Sequence, residues 1–91
     1  MVIYGEEGWK IDFNGRKNII GEKVHQIRTQ RRMSQGELAA EMQTMGVNID
    51  QQMISRIENN LRIVTDYELI CFCKVLQIEE IKLPEELTRE K

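Results

Sequence analysis

Residues 34–59 read SQGELAAEMQTMGVNIDQQMISRIEN, and this segment decides the fold. It predicts two short helices joined by a connection at Gly46. A capping box opens the earlier helix of this pair, because the Ser34 hydroxyl can accept a backbone N–H and the Glu37 carboxylate can accept the N–H of Ser34 in return. Gly46 ends that helix, since glycine takes positive φ at no steric cost. Asp50 then caps the later helix of the pair, which is the third helix of the chain.

Apolar residues at three- and four-residue spacing extend the helical pattern on both sides of this segment. A first helix is predicted from Asn18, which can cap its start, to about Arg32. A fourth opens at a second capping box, Thr65-Asp66-Tyr67-Glu68, and ends near Leu76. A fifth short turn or helix is expected from Glu79. The predicted inward-facing residues are Ile20, Val24, Ile27, Leu38, Ala39, Met42, Ile54, Ile57, Leu69, Phe72, Cys73 and Leu76.

Length and charge narrow the class of protein. Ninety-one residues fit one all-α domain with a modest core. The net charge of −2 argues weakly against nucleic acid. The distribution softens that argument, because residues 10–32 carry seven bases and two acids while residues 77–91 carry five acids and three bases. Binding depends on the charged face that is presented rather than on the total.

Several classes of function are disfavoured. We find no nucleophile–histidine set and no glycine-rich phosphate loop, so we expect no enzyme. We expect no cofactor and no metal, since there is one histidine, and Cys71 and Cys73 diverge on a helix. No apolar run approaches the roughly 20 residues of a membrane span, and MVIYGEEGWK does not resemble a signal peptide. We expect a cytoplasmic, nucleoid-associated protein with reduced thiols.

The chain divides into three parts. Residues 1–17 are predicted to form a short N-terminal arm or a small hairpin, with Trp9 as its anchor. Residues 18–83 form the helical domain, and residues 84–91 form a C-terminal tail.

The predicted third helix, residues 51–59, carries side chains that suit base recognition. Glutamine can pair two-pronged with adenine in the major groove, and arginine can do so with guanine. Helical spacing places the candidates on one exposed surface in front of two buried isoleucines. Polar helix faces are common, so this face alone is weak evidence. The candidate base-reading residues are Gln51, Gln52, Ser55 and Arg56.

Three runs taken together, SQGELAAEM, QQMISRIENN and VTDYELICFCKVLQI, resemble the lambda-repressor-like helix-turn-helix domain of the xenobiotic-response-element type, over about residues 19–83. The resemblance implies a five-helix bundle with its third helix in the major groove. It also implies a homodimer on a palindromic DNA operator and regulation of transcription, which we expect to be repression, in bacteria or their phages.

Family roles follow position by position. The resemblance implies phosphate contacts at Gln35 and Asn59, to which the nearby bases Arg62 and Arg32 are added. It also implies a structural ion pair, in which Arg28 of the first helix binds Glu58 at the end of the third.

The chain departs from the family pattern in three places. The connection 46–49 is longer than in the simplest members, with Val47 and Ile49 expected to turn inward. Asn60 stands where many relatives have glycine, and asparagine tolerates left-handed φ. Residues 61–64 lack the frequent proline, and their apolar side chains are expected to need burial.

A second function stays open on the sequence. A protein-interaction module of the same fold, antitoxin-like or an adaptor, would bind another protein and DNA weakly or not at all. The acidic pI of about 5.4 and the single base in the third helix, Arg56, favour that alternative. The glutamines at the start of the third helix favour DNA.

Overall fold

The computed structural model describes residues 15–81, which fold as an all-α bundle. The all-α prediction is confirmed, but this part of the chain contains four helices rather than five. The helices are α1 (Gly21–Gln30), α2 (Gln35–Thr44), α3 (Gln51–Glu58) and α4 (Asp66–Leu76). The predicted arm at 1–17 lies mostly outside the described residues, and the tail at 84–91 lies wholly outside them.

The expected fifth helix does not begin at Glu79, because residues 78–81 are not helical. Gln77 takes φ 57° in the left-handed region and ends α4. Ile78 then turns back, donates its N–H to Cys73 O at 2.8 Å and is 8% exposed. Ile78, which precedes the expected fifth helix, therefore closes the fourth.

The predicted caps are confirmed. Ser34 Oγ accepts the Glu37 N–H at 2.9 Å, and Glu37 Oε1 accepts the Ser34 N–H at 2.7 Å. Thr65 and Glu68 exchange the same two bonds at the start of α4. At α3 the Asp50 carboxylate accepts the Met53 N–H at 2.8 Å. Each cap satisfies backbone donors that have no partner within the helix.

The first helix is shorter than predicted at both ends. It begins at Gly21 rather than Asn18, and the Asn18 side-chain oxygen accepts the N–H groups of Ile20 and Gly21 at 3.1 and 2.6 Å. It ends at Gln30 because Arg32 takes φ 57°, which no α-helix continues.

The core lies where the four helices meet. Both α1 and α2 pack on α3 and on α4. Burying one large aliphatic side chain in this core contributes about 1.5–3 kcal/mol relative to leaving it exposed. The residues buried in the core are Ile20, Val24, Leu38, Ala39, Met42, Ile49, Ile54, Ile57, Cys71, Phe72, Leu76 and Ile78. Among the other predicted inward residues, Ile27, Leu69 and Cys73 are half-buried against this cluster.

The longer connection between α2 and α3 is pinned at several points. Gly46 takes φ 89°, and Val47 donates its N–H to Met42 O at 3.2 Å. Ile49 is fully buried and Val47 half-buried, as predicted. Gln43 Nε2 donates to Ile49 O at 2.8 Å. These contacts set the point at which α3 enters the bundle.

The connection between α3 and α4 fits only part of the prediction. Asn60 takes φ 63°, so asparagine does occupy the left-handed position that glycine has in relatives. The expected burial of the apolar residues that follow is wrong for Leu61 and Ile63, which are 55% and 51% exposed, whereas Val64 is half-buried against the core. Arg62 lies between them and holds this connection through Glu68, so neither apolar side chain has to reach the core.

Candidate nucleic-acid interface

The back of α3 is buried and its front is open. Ile54 and Ile57 are both fully buried. Gln51, Gln52 and Arg56 are exposed, whereas Ser55 is half-buried. The structure therefore presents three of the four candidate base readers to solvent on a helix whose opposite face is packed into the core.

Asn18 joins the start of α1 to the end of α3. Its Nδ2 donates to Ile57 O at 3.0 Å and to Arg62 O at 2.9 Å, while its oxygen caps α1. Sequence reasoning assigned only the capping role. The link to α3 spans 39 residues and has no local sequence signal.

Gly21 makes the close approach of these two helices possible. It is buried, and a Cβ at this position would lie well inside van der Waals contact of the Ile57 carbonyl oxygen. The backbone of α1 therefore rests directly on the last turn of α3. Helical periodicity does not predict that a glycine is required at this position.

The ion pair expected between Arg28 and Glu58 is present and buried. Arg28 Nε donates to Glu58 Oε2 at 2.6 Å and Nη2 donates to Oε1 at 2.9 Å, a two-pronged geometry. The two side chains are 10% and 4% exposed. Arg28 Nη1 also donates to Met33 O at 2.8 Å, which ties the α1–α2 turn to the same pair. The hydrogen bond and the charge of Glu58 outweigh burial and raise the pKa of Arg28.

Glu58, at the end of α3, accepts hydrogen bonds from side chains of both α1 and α2. Its Oε1 also lies 3.1 Å from Gln35 Nε2 and 3.0 Å from His25 Nδ1. Burial raises the pKa of Glu58, but the hydrogen bonds from Arg28, Gln35 and His25 outweigh it and leave the pKa below its usual value. Glu58 is therefore a buried carboxylate that holds α1, α2 and α3 in one arrangement.

Gln35 and Asn59, the two residues for which the resemblance implied phosphate contacts, come together. They line one surface pocket, with Glu22, His25 and Glu58 as its other lining residues. Gln35 uses one amide hydrogen on Glu58, and Asn59 Nδ2 donates to Ser55 O at 2.8 Å. Sequence reasoning did not place His25 here, because the contact depends on a neighbour 33 residues away.

The two added bases have different surroundings. Arg62 binds Glu68 with both prongs, at 2.9 and 3.1 Å, and Glu68 also accepts from Thr65. Burial raises the pKa of Glu68, but the bonds from Arg62 and Thr65 lower it below its usual value. The guanidinium of Arg62 thus has a structural partner, whereas Arg32 is exposed on the α1–α2 turn.

Two negative findings apply to residues 15–81. No helix there is both long and apolar enough to cross a membrane. No group of three or more His, Cys, Asp or Glu side chains in the same stretch could hold a metal ion.

The arrangement of α2, a turn and an exposed α3 defines a helix-turn-helix protein. A family model described as helix-turn-helix matches residues 24–83. The chain belongs to this family of lambda-repressor-like helix-turn-helix proteins. Proteins of this family bind double-stranded DNA. No curated protein and no solved structure is similar enough to the chain to count as a match.

Proposed function

We propose that this protein is a sequence-specific transcriptional regulator, acting as a repressor, that places α3 in the major groove of double-stranded DNA. The observation that carries the proposal is the exposed row Gln51, Gln52 and Arg56 on a helix anchored by Ile54 and Ile57. Glutamine and arginine are the side chains best suited to read adenine and guanine edges. A rigid support matters because the bond geometry must be held before binding.

Affinity has to draw on contacts outside α3, which carries one base, Arg56. Phosphate contacts orient a protein on the duplex without reading sequence. Gln35 and Asn59 support this role because they lie together at the pocket beside the end of α3. Arg32 is a further candidate on the adjacent turn. Binding should weaken steeply with salt as counterions are released.

The proposal predicts distinct effects for single substitutions on α3. Gln51→Ala and Arg56→Ala should each cost about 1–3 kcal/mol on the preferred site and should relax the sequence preference there. The site is obtained by selection from random duplexes at low salt, and affinities are measured by fluorescence anisotropy on the selected and on scrambled sequences. Lys74→Ala, which removes an exposed base from α4, is the control and should affect all sequences alike.

Two outcomes would count against this proposal. If selection at low salt enriches no motif, the protein is not a sequence-specific regulator. If Gln51→Ala weakens selected and scrambled duplexes equally, the side chain contacts the backbone and not the bases.

We further infer a homodimer, with its contact on an exposed apolar surface made of the α3–α4 connection and the outer face of α4. The residues of this dimer surface are Leu61, Ile63, Tyr67 and Ile70, each more than half exposed. Several large apolar side chains left exposed on one connection and on the helix that follows it indicate an interaction surface. A second copy is the occupant we favour because the surface begins three residues after α3 ends, and symmetric half-sites require two third helices about 34 Å apart.

Ile70→Lys should therefore yield a monomer that binds a half-site normally and a full palindrome at least about tenfold more weakly, since the second binding event loses its effective concentration. Sedimentation equilibrium with and without DNA measures the association. Met45→Lys is the matched control, because Met45 is also an exposed apolar residue, at 41%, but lies at the end of α2. A wild-type protein that stays monomeric on and off DNA would refute the dimer.

The alternative, a protein-interaction module of the same fold, draws on the same exposed apolar surface and on the low charge of α3. The two hypotheses differ in the result of the selection experiment, because an interaction module would enrich no DNA sequence. A dimer formed through Ile70 together with no enriched sequence would favour it.

A further inference from the structure

We propose that His25 is a phosphate-binding residue that must be protonated to make its contact, so that DNA binding by this protein takes up a proton. The inference rests on the proposed function and adds a residue and a pH dependence to it. Its basis is the position of His25 between a buried carboxylate on one side and an open polar pocket on the other.

The carboxylate side determines where the ring carries its hydrogen. His25 Nδ1 lies 3.0 Å from Glu58 Oε1, and the Glu58 side chain is 4% exposed. An ionised carboxylate only accepts hydrogen bonds, so Nδ1 must be the donor. Arg28 Nη2 lies farther from Nδ1, at 3.3 Å, and is itself a donor bonded to the same oxygen. A neutral His25 therefore has its hydrogen on Nδ1 and a lone pair on Nε2.

The other side of the ring faces a surface pocket rather than the core. The His25 side chain is 58% exposed, and the ring lines the pocket that Gln35 and Asn59 also line. The three side chains come from α1, from the start of α2 and from the residue that ends α3. A phosphate in this pocket would meet two amides and one imidazole, with the carboxylates of Glu22 and Glu58 also in the lining.

The charges around the ring make the proton necessary. From α1, the charged neighbours are Glu22 and Arg28, and from α3 the neighbour is Glu58, while α2 contributes the neutral Gln35. Two carboxylates and one guanidinium leave this cluster with a net charge of −1 when His25 is neutral. A phosphate would then meet a net negative site and a lone pair on Nε2. Protonation of His25 removes the net charge and turns Nε2 into a donor.

The sequence makes the effect measurable, because it contains one histidine. Histidine is the side chain whose charge ordinarily changes between about pH 5 and 8. Affinity of the wild-type protein for its selected duplex should rise about fivefold or more from pH 7.5 to 5.5 at constant ionic strength. The salt dependence should also steepen by about 0.9 per subunit over that interval, as one more phosphate is neutralised.

The deciding variant is His25→Gln, which keeps a donor for Glu58 but cannot be protonated. Its affinity should change less than about twofold over the same pH range, in line with the lost proton linkage. Lys23→Gln is the matched control, because Lys23 is an exposed base on α1 that does not line this pocket. It should bind more weakly at every pH and keep the wild-type pH dependence.

Calorimetry separates proton uptake by His25 on DNA binding from a merely structural role of His25. Titrations at pH 7 in two buffers of different ionisation enthalpy should show proton uptake by the wild type and none by His25→Gln. Duplexes with one neutral methylphosphonate in place of a phosphate should abolish the uptake at one position in each half-site.

The outcomes are distinguishable from failure of the proposed function. If His25→Gln binds the selected duplex with the wild-type pH dependence, the role of His25 is refuted while sequence-specific binding stands. If uptake persists whichever phosphate is neutralised, the proton goes elsewhere and the inference also fails. If no selected duplex binds at any pH between 5.5 and 7.5, the proposed function fails with it.

Discussion

Arg28→Ala should lower the free energy of unfolding by about 3–5 kcal/mol, the cost of leaving a buried charge without its partner. Glu58 would keep its buried carboxylate but lose both prongs of the guanidinium, and Met33 O would lose its donor. A domain this small is stabilised by only about 5–15 kcal/mol in total. The variant should therefore lose a large fraction of its stability and unfold at a markedly lower temperature and urea concentration. Urea unfolding followed by circular dichroism measures the loss.

The pH dependence of that loss tests its origin. The folded pKa of Glu58 is lowered, so its stabilising contribution is present above the ordinary carboxyl pKa and is lost as the pH falls from there through the lowered folded pKa. In Arg28→Ala the unpaired carboxylate can take up a proton in acid and end its penalty. The difference in stability between wild type and variant should thus shrink between about pH 5 and pH 3.

Two further variants separate the unpaired charge from lost packing. Arg28→Met combined with Glu58→Leu removes both charges and should be more stable than Arg28→Ala, since apolar replacements of a buried pair are often neutral. Arg31→Ala removes an exposed base bonded to Gln77 and should change stability by less than about 1 kcal/mol. A loss below 1 kcal/mol for Arg28→Ala would show that the pair does not hold α1 to α3.

Gly21→Ala should cost about 3 kcal/mol, at the upper end for overpacking. The added methyl would meet the Ile57 carbonyl oxygen, and Asn18 Oδ1 lies 2.9 Å from the same point. Backbone cannot rotate away as a side chain can, so α1 would have to shift from α3. Because that shift displaces Ile57 and the bonds of Asn18, DNA affinity should fall together with thermal stability.

Gly36→Ala is the matched control, since it places the same methyl near the start of α2. The nearest atom to the new methyl would be Gln51 Oε1 at 3.6 Å, an ordinary contact with a flexible side chain. Alanine favours a helix over glycine, so this variant should be neutral or more stable by up to about 1 kcal/mol. Equal stability of the two alanine variants would mean that α1 and α3 are not in backbone contact.

Helix positions and caps were predictable because they depend on neighbours within four residues. Ser34 with Glu37 and Thr65 with Glu68 each close a box inside one turn. The expected fifth helix was an error of local geometry, because the left-handed φ of Gln77 and the hydrogen bond from Ile78 N–H to Cys73 O end α4 and turn the chain away.

For the candidate site, the sequence predicted the row on α3 and, through the family resemblance, the Arg28–Glu58 pair. It did not predict that His25 and Gln35 also bind Glu58, or that Asn18 ties α1 to the end of α3. Helical periodicity says which face of a helix is polar, but not which polar residues of separate helices meet.

The sequence predicted an amphipathic helix over residues 51–59 with glutamines and an arginine on its open face, and α3 spans Gln51–Glu58. Capping, apolar spacing and side-chain chemistry are local properties, and they suffice for that prediction. How this helix is held depends on contacts between residues far apart in the sequence. Packing brought Gly21 against Ile57 and gathered Arg28, Gln35 and His25 around the carboxylate of Glu58. Burial strengthens these long-range contacts, and no local pattern along the chain encodes which distant residues become buried together.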